Sequence, residues 1–490
     1  MTPLIATLTL PLLGALACVA FPARGGARAA EGVSLACLAA ALWLAVLVWQ
    51  GGTVELALGG WQAPLGIVLA ADGLGAAFLV MSALVMVGVM RAARAEQSAE
   101  AAGARQAFGF WPLALLLWGA LNAVFLSRDL FNLYVGLELL TLAAVALVAL
   151  GGSAGAIVAA LRYLVFALAG SLLYLAGVVL IYAGHGALDI SLIAAHEAAP
   201  GDALALSLMT AGLMLKTALF PFHVWLPPAH AAAPAPASAI LSALVPKASF
   251  VILIRLWFEA LPDLAGPVAL MLLGGLGAAA VIWGGVMALG QPRLKLIVAY
   301  STVAQLGYMM LVFPLAGGAG AAQPWSAGAW TGAMFQALSH GLSKAAMFLV
   351  AGLFIAAAGS DRLEDLRGIV RDMPMACMAF ALAAVTLLGL PPSGGFTAKY
   401  LLMTSAFAAG QWPWALVLAG GGLLAAAYLY APLAQIFARA STQGTLRPVS
   451  RARQSVPLIL AGFAILLGIA SALPFEFLQI GRPETAEEGL

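Results

Sequence analysis

Long apolar runs follow one another along almost the whole chain, separated by short polar stretches. A helix rises about 1.5 Å per residue, so about 20 apolar residues cross the roughly 30 Å hydrocarbon core of a bilayer. The runs therefore predict an all-α integral membrane fold with about fourteen spans. These spans lie near residues 3–20, 33–50, 64–90, 108–126, 129–150, 157–183, 204–226, 236–261, 265–289, 294–315, 330–357, 373–408, 413–437 and 454–474.

Two of the predicted spans are interrupted by prolines. The seventh contains Pro221, Pro227 and Pro228, and the twelfth contains Pro391 and Pro392. Because proline removes a backbone donor and clashes with the preceding turn, both helices are expected to break within the membrane. If spans 4–8 and 9–13 form two halves, each broken helix is the fourth of its half, which is typical of an inverted repeat. Two ordinary proline kinks are the alternative.

The whole chain, residues 1–490, is predicted to form a single membrane domain. Its predicted parts are helices 1–3 in 1–90, a first repeat in 108–261, a second repeat in 265–437, a last helix at 454–474 and a short outer tail at 475–490. Inner loops of membrane proteins are enriched in Lys and Arg. With the N-terminus outside, fourteen Lys and Arg residues fall on the inner side and only Arg128 and Arg482 on the outer side. Both termini are therefore predicted to lie on the outer side of the inner (plasma) membrane.

Composition excludes several classes of protein. The chain is 63% hydrophobic and 9% charged, whereas soluble domains carry about a quarter charged residues. The basic residues are scattered, so no nucleic-acid partner is expected. Cys18, Cys37 and Cys377 lie inside apolar runs without a paired spacing, and no nucleotide loop occurs. We therefore expect no disulfide, metal site, iron–sulfur cluster or other cofactor.

Charged residues within the predicted spans are the candidates for function, because each costs roughly 2.5–3.5 kcal/mol at a helix centre on insertion scales. They are Asp72, Glu138, Arg162, Lys216, Lys247, Arg255, Lys344 and Lys399. Such residues face the bundle interior or water and typically mark an ion path. Arg162 and Arg255 lie near predicted helix ends, where snorkelling to the interface explains them. His340 precedes Lys344 by one helical turn and joins the deeper group.

Three functions are compatible with these residues. The first is an ion-translocating subunit of a larger complex, the second a stand-alone secondary transporter of an organic solute, and the third a passive membrane anchor of a redox enzyme. A line of single lysines suits an ion path better than a roomy solute site. A passive anchor has no use for six basic residues inside its spans.

Several long motifs are similar to those of a known family. They are Asp72-Gly73-Leu74, Leu130 to Glu138-Leu139, Lys216 followed by Phe220-Pro221-Phe222-His223 and then His230, Pro234, Ser238 and Lys247, Leu294-Lys295 to Tyr300-Ser301, His340 with Lys344, and Gly389-Leu390-Pro391-Pro392 to Lys399. Over about residues 64–440 the chain resembles the antiporter-like subunits shared by respiratory complex I, membrane-bound hydrogenases and Mrp-type cation/proton antiporters. The D-type subunit of Mrp antiporters, or a related polypeptide of the same size, fits best.

The resemblance implies a fourteen-helix fold with two inverted five-helix repeats, spans 4–8 and 9–13, in which helices 7 and 12 are broken. It also implies a proton relay. The relay would consist of Glu138 on helix 5, its partner Lys216 on helix 7, Lys247 on helix 8, His340 and Lys344 on helix 11, and Lys399 on helix 12 at the exit. Secondary candidates are Asp72, Arg162, His230 and Arg255. The loop around Pro228 and Ala232 departs from the family because it lacks the acidic pair often found there.

Our hypothesis is that formation and opening of a Glu138–Lys216 pair switches the proton affinity of the lysine, because a nearby carboxylate favours the ammonium form. A proton would then pass Lys247 toward His340, Lys344 and Lys399. No redox or nucleotide site that could supply energy is visible, so enzymatic activity of the chain alone stays an open question. The expected partners are other membrane subunits of a complex I-like, hydrogenase-like or Mrp-type assembly, the lipid bilayer, and protons, with Na⁺ or K⁺ as an open second ion.

Overall fold

The computed structural model of the chain describes residues 2–21, 24–99, 104–439 and 446–483. Its N-terminal part consists of α1 (Thr2–Ala20), α2 (Arg24–Gly51), β1 (Val54–Ala57), β2 (Val68–Ala71) and α3 (Gly73–Ala99). The first half consists of α4 (Ala104–Leu126), α5 (Leu130–Ala149), α6 (Ala154–His185), α7 (Ile190–Ala194), α8 (Asp202–Thr217), α9 (Leu226–Ala232), α10 (Ala235–Ala243) and α11 (Val245–Arg255). The second half consists of α12 (Pro267–Leu289), α13 (Leu294–Met309), α14 (Val312–Ala316), α15 (Ser326–Ala358), α16 (Pro374–Leu388), α17 (Gly394–Ala408) and α18 (Trp412–Ile436). The chain continues with α19 (Arg451–Ile469) and α20 (Ala472–Gln479).

Thirteen stretches of the described chain are long and apolar enough to cross a membrane, and a bent helix pair raises the count to as many as fourteen. This confirms the predicted all-α membrane fold. The span formed by α10 and α11 is completely buried, and α10 packs against the long helix α15. These two spans form the centre of the molecule, which is where a polar path can be shielded from lipid.

The prediction that the third span begins near residue 64 is wrong. β1 and β2 form an antiparallel hairpin in which Val54 pairs with Ala71, and the helix begins only at Gly73. The apolar run continues from the strand into the helix, and hydropathy alone does not separate the two.

The predicted breaks in the seventh and twelfth spans are confirmed. The seventh consists of α8, a 3₁₀ turn at Phe222–Trp225, and α9, and the twelfth consists of α16 and α17. Both first segments end at a residue in the left-handed conformation, Ala218 at φ 57° and Gly389 at φ 78°. Each half therefore has five spans, of which the fourth is broken, and the odd number gives the two halves opposite orientations.

The eighth span is also interrupted, which hydropathy does not reveal. α10 ends at Ala243, α11 begins at Val245, and a π-helical turn at Leu256–Ala260 follows α11. Pro246 lies in the first turn of α11 and has no N–H, so the carbonyl four residues earlier, that of Ser242, loses its helical donor. π-helical turns within α-helices often occur at functional sites.

The C-terminal segment folds back onto the N-terminal helices. α19 ends at Ile469, earlier than the predicted 474, and α20 packs against α3. The backbone N–H of Gly73 donates to the carbonyl of Ile480 at 2.8 Å. The predicted outer tail is therefore helical up to Gln479, and its residues 484–490 lie outside the described residues.

Candidate functional site: a buried line of basic side chains

Glu138 on α5 and Lys216 on α8 form an ion pair, with 3.1 Å between Oε1 and Nζ. The Lys216 ammonium also donates to Thr141 Oγ1 at 2.9 Å, and the Ser171 hydroxyl donates to the same Glu138 oxygen. Lys216 is 5% exposed and the Glu138 side chain 20%. The structure thus brings together the two residues that the hypothesis pairs, and it leaves the carboxylate as the more accessible partner.

Small residues allow this arrangement. α6 approaches α8 at two facing glycines, because a Cβ on Gly212 would lie only 2.3 Å from the carbonyl oxygen of Gly170. Lys216 lies one helical turn after Gly212, and Ser171 follows Gly170 directly in the chain. The close helix contact therefore places the serine hydroxyl and the lysine ammonium on the same carboxylate.

Lys247 and His340 connect the two halves of the molecule. Lys247 is fully buried in the first turn of α11, and its Nζ donates to His340 Nδ1 on α15 at 2.8 Å. The same ammonium donates at 2.8 Å to the Ser242 carbonyl, which Pro246 deprives of a helical donor. Because His340 Nδ1 accepts this hydrogen bond, the proton of the neutral ring lies on Nε2. His340 Nε2 has no hydrogen-bond partner in the described part of the chain.

Lys344 lies one turn beyond His340 on α15 and is likewise fully buried. Its Nζ donates to the Val298 carbonyl at 2.8 Å and to the Ser301 hydroxyl, both on α13. Among the described residues, no carboxylate lies within ion-pair distance of either Lys247 or Lys344. The positive charge on either lysine is therefore stabilised only by neutral hydrogen-bonding groups. Holding a charge without an oppositely charged partner in a buried site is energetically costly.

Lys399 lies on α17, after the break in the twelfth span. Its Nζ donates to the carbonyls of Leu387 and Leu388 at 2.9 and 3.0 Å. These carbonyls lie four residues before Pro391 and Pro392, which cannot donate to them. The ammonium also lies 4.6 Å from the centre of the Tyr308 ring, within the range of a cation–π contact.

Two buried glutamines, which a criterion based on charge does not detect, lie between His340 and Lys399. Gln336, one turn before His340 on α15, donates its side-chain amide to Gln305 Oε1 at 2.7 Å. Gln305 in turn donates to the Leu387 carbonyl at 3.1 Å, the same oxygen that accepts from Lys399. A glutamine within an apolar span is the sequence signal that would have found both.

His230 and Lys295 are buried nearby. The His230 ring stacks against Phe348 with 4.8 Å between ring centres, and its Nδ1 has no partner among the described residues. Lys295 is 4% exposed in the first turn of α13 and donates to the Ala233 carbonyl at 2.6 Å. Among the described residues, no group of three or more His, Cys, Asp or Glu side chains could hold a metal ion.

Asp72 and Arg255 belong to a separate cluster. Arg255 is 2% exposed, so the expectation that it snorkels to the interface is wrong. It donates to both carboxylate oxygens of Asp72, at 2.5 and 2.9 Å, and also pairs with Glu259 in the π-helical turn. Arg128 pairs with the same two carboxylates. Arg162, the remaining secondary candidate, is exposed on α6.

The cluster gives a prediction for stability. Burial raises the pKa of the Asp72 carboxyl, but the facing Arg255 and Arg128 outweigh burial and hold that pKa below its ordinary value. A carboxyl with a lowered folded-state pKa stabilises the fold above about pH 4 and loses this contribution as the pH falls through the folded pKa. Asp72→Asn is therefore expected to lower the free energy of unfolding by about 3 kcal/mol at pH 7, because the buried Arg255 loses a negatively charged partner.

Thermal unfolding of the purified chain at pH 7 and at about pH 2, which lies below the ordinary pKa of an aspartate, checks this. The wild-type unfolding temperature should fall more on acidification than that of Asp72→Asn. Glu364→Gln is the matched control, since it removes an exposed pair with Arg362 and such pairs contribute at most about 1 kcal/mol. Equal acid shifts in wild type and Asp72→Asn would contradict the prediction.

Comparison with known proteins supplies independent information. Residues 127–425 match the profile of the family described as NADH:quinone oxidoreductase/Mrp antiporter, transmembrane. The chain is 36% identical over 455 residues to the N subunit of the NADH-quinone oxidoreductase of Desulforudis audaxviator, an alignment that covers 91% of this chain and 87% of that protein. It is 30% identical over 377 residues to the D-type polypeptide of the Na⁺/H⁺ antiporter of Alkalihalophilus pseudofirmus, covering 76% of this chain and 73% of that protein.

Solved structures show the same fold. A chain of the Mrp complex from Dietzia sp. superposes with a TM-score of 0.88 at 25% identity, covering 100% of this chain and 98% of that chain. A chain of respiratory complex I from Thermus thermophilus superposes with a TM-score of 0.75 at 27% identity, covering 97% of this chain and 98% of that chain.

Proposed function

We propose, from the premise that this chain belongs to the NADH:quinone oxidoreductase/Mrp antiporter family of membrane subunits, that it translocates protons as one subunit of a multisubunit complex. The family membership was predicted from the sequence motifs and is confirmed. The proposed path is the buried line of side chains Glu138, Lys216, Lys247, His340, Lys344 and Lys399.

One observation carries the proposal, namely the direct contact between Lys247 and His340. Lys247 belongs to the first half of the molecule and His340 to the second, and both are nearly completely buried. Two bases that share one hydrogen bond can exchange a proton without passing through lipid. The contact therefore supports a single path across both halves, in which the ion pair regulates one end and Lys399 lies at the other.

The uncharged groups beside the line support proton transfer as well. Gln336 and Gln305 extend the hydrogen-bonded connection from the α15 side to the Leu387 carbonyl, where Lys399 also binds. Such a chain of dipoles orients donors and acceptors but does not itself change charge. We assign the glutamines to positioning and the lysines and histidine to carrying the proton.

We infer a multi-pass location in the inner membrane, with both termini on the outer side. The charge asymmetry of the loops supports this orientation. We also infer that spans 4–8 and 9–13 are the two functional halves, and that other membrane subunits of the complex supply the driving reaction or the exchanged cation. Asp72 and Arg255 are left out of the relay because they bind each other and two further ionic groups.

Exchange of Lys344 for Met tests the proposal in vesicles that contain the whole complex. The substitution keeps an apolar side chain of similar length but removes the group that holds a proton, so the initial rate of proton translocation is expected to fall by about a hundredfold or more. Arg162→Met is the control, since Arg162 is exposed on α6, and its rate is expected to stay near wild type. An unchanged rate for assembled Lys344→Met would favour a solute carrier or a passive anchor instead.

A further inference from the structure

The hydrogen-bonded connection from α15 to Lys399 consists of two glutamine side chains. Gln336 donates to Gln305 Oε1 at 2.7 Å. Gln305 donates to the Leu387 carbonyl, which also accepts from Lys399. A neutral carboxamide neither gains nor loses a proton under conditions in which lysine and histidine do. Transfer along this part of the line therefore requires a further group that can accept one proton and release another.

Tyr428 on α18 places a hydroxyl group at this connection. α18 packs against α13 and α17, the helices that carry Gln305 and Lys399. Tyr428 is 2% exposed, and its oxygen accepts a hydrogen bond from Gln305 Nε2 at 3.4 Å. The orientation of the Gln305 amide is set by its hydrogen bonds to Gln336 and Leu387. Because the phenol oxygen accepts from this amide, its own O–H remains available as a donor.

Ser301 on α13 connects the Tyr428 hydroxyl to Lys344. The Lys344 ammonium donates to the Ser301 hydroxyl, and the Ser301 side chain in turn interacts with the hydroxyl of Tyr428. On the other side, the amide that donates to Tyr428 also donates to Leu387, whose carbonyl binds Lys399. The contacts of Tyr428 therefore lead to Lys344 in one direction and to Lys399 in the other.

The surroundings of Tyr428 favour a role for its hydroxyl over packing alone. Every other buried residue of α18, Trp412–Ile436, is apolar or glycine. A buried hydroxyl is costly unless it is hydrogen-bonded, whereas phenylalanine would fill nearly the same space without this requirement. Tyr430, two residues later on the same helix, is 73% exposed and lies outside the line.

We propose that the Tyr428 hydroxyl carries the proton between Lys344 and Lys399, an inference that rests on the proposed function and adds a carrier to it. In this step an N–H bond of the Lys344 ammonium breaks and the Ser301 oxygen gains the proton, while the original Ser301 hydrogen passes to the Tyr428 oxygen. The original phenolic hydrogen leaves for the neutral amine of Lys399, which its flexible four-carbon stem brings to the phenol. Each hydroxyl forms one O–H bond and breaks one, and a single positive charge moves from Lys344 to Lys399.

Tyr428→Phe tests the assignment in vesicles that contain the whole complex. The variant keeps the ring and loses the hydroxyl, so the initial rate of proton translocation per assembled complex should fall at least about tenfold. Its unfolding temperature should stay close to that of wild type, because one neutral hydrogen bond contributes little to the free energy of unfolding. Tyr430→Phe removes an exposed hydroxyl from the same helix and should keep the wild-type rate.

Lys344→Met, assayed in parallel, separates this inference from the proposed function. If Tyr428→Phe keeps the wild-type rate while Lys344→Met is slow, the Tyr428 assignment is wrong and the relay of lysines stands. If both variants keep the wild-type rate, the proposed function fails and the assignment fails with it.

A change in the acidity of the phenol distinguishes proton transfer from packing, and it needs no loss of the hydroxyl. Replacing Tyr428 by 3,5-difluorotyrosine retains the O–H group and makes it a stronger acid, so the pH dependence of the translocation rate should move toward lower pH. The same replacement at Tyr430 should leave the pH dependence unchanged. The neighbouring titratable groups Tyr308, Lys344 and Lys399 are the same in both labelled proteins. An identical pH dependence for both labelled proteins and wild type would overturn the proposal, even if Tyr428→Phe does not assemble.

Discussion

Replacing Lys216 by methionine is expected to lower the rate of proton translocation by about a hundredfold or more. Lys216 is the relay lysine that contacts a carboxylate, and its Nζ lies 3.1 Å from Glu138 and 2.9 Å from Thr141. Methionine has a similar length and no charge, so the packing of α8 against α6 is retained while the proton-binding group is lost. The initial rate in vesicles, normalised to the amount of assembled protein, gives the result.

Lys216→Arg separates two roles of this residue. Arginine preserves the positive charge and the hydrogen bond to Glu138, but it does not release its proton. If the lysine itself carries the proton, Lys216→Arg should be nearly as slow as Lys216→Met. A rate near wild type for Lys216→Arg would mean that the residue acts only as a fixed charge.

Lys247→Met is expected to slow translocation to a similar extent, for a different reason. It removes the 2.8 Å hydrogen bond between Lys247 Nζ and His340 Nδ1, which connects the first half of the molecule to the second. It also leaves the Ser242 carbonyl without a donor, because Pro246 cannot supply one. Ser249→Ala changes another buried polar residue on the same helix and is expected to keep a rate near wild type. Full activity of assembled Lys247→Met would show that protons do not cross between the halves at this contact.

The ion pair sets an energetic condition on the mechanism. Separating a buried ion pair leaves each charge without its oppositely charged partner, which costs several kcal/mol of free energy. A membrane potential of 100 mV contributes about 2.3 kcal/mol per charge moved across it. The potential alone therefore does not open the Glu138–Lys216 pair, and opening requires protonation of the more accessible Glu138 or a movement supplied by a neighbouring polypeptide.

The broken helices were predictable because proline acts locally. The missing N–H of Pro391 and Pro392 identifies, by counting four residues back, the carbonyls of Leu387 and Leu388 that bind Lys399. The same count from Pro246 leads to the Ser242 carbonyl at Lys247. The positions of the prolines thus identify, from the sequence alone, the backbone carbonyls that accept hydrogen bonds from two relay lysines.

Other features depend on contacts between distant residues, and the sequence pattern did not predict them. Arg255 is near a helix end in both sequence and structure, yet the carboxylate of Asp72, 183 residues away, keeps it buried. Lys295 adjoins a loop but is enclosed by the backbone carbonyl of Ala233. Gln305 and Gln336 carry no charge, so a search for costly charges passes over them.

The central claim is that one path runs through both halves, from the Glu138–Lys216 pair to Lys399. Comparing Lys216→Met, Lys399→Met and the double variant in one vesicle assay tests it most directly, since residues that act in series are strongly non-additive. If the path is single, each single variant should reduce the translocation rate as far as the double variant does. If each single variant instead retains about half of the rate and only the double variant abolishes it, the halves conduct protons independently and the account is wrong.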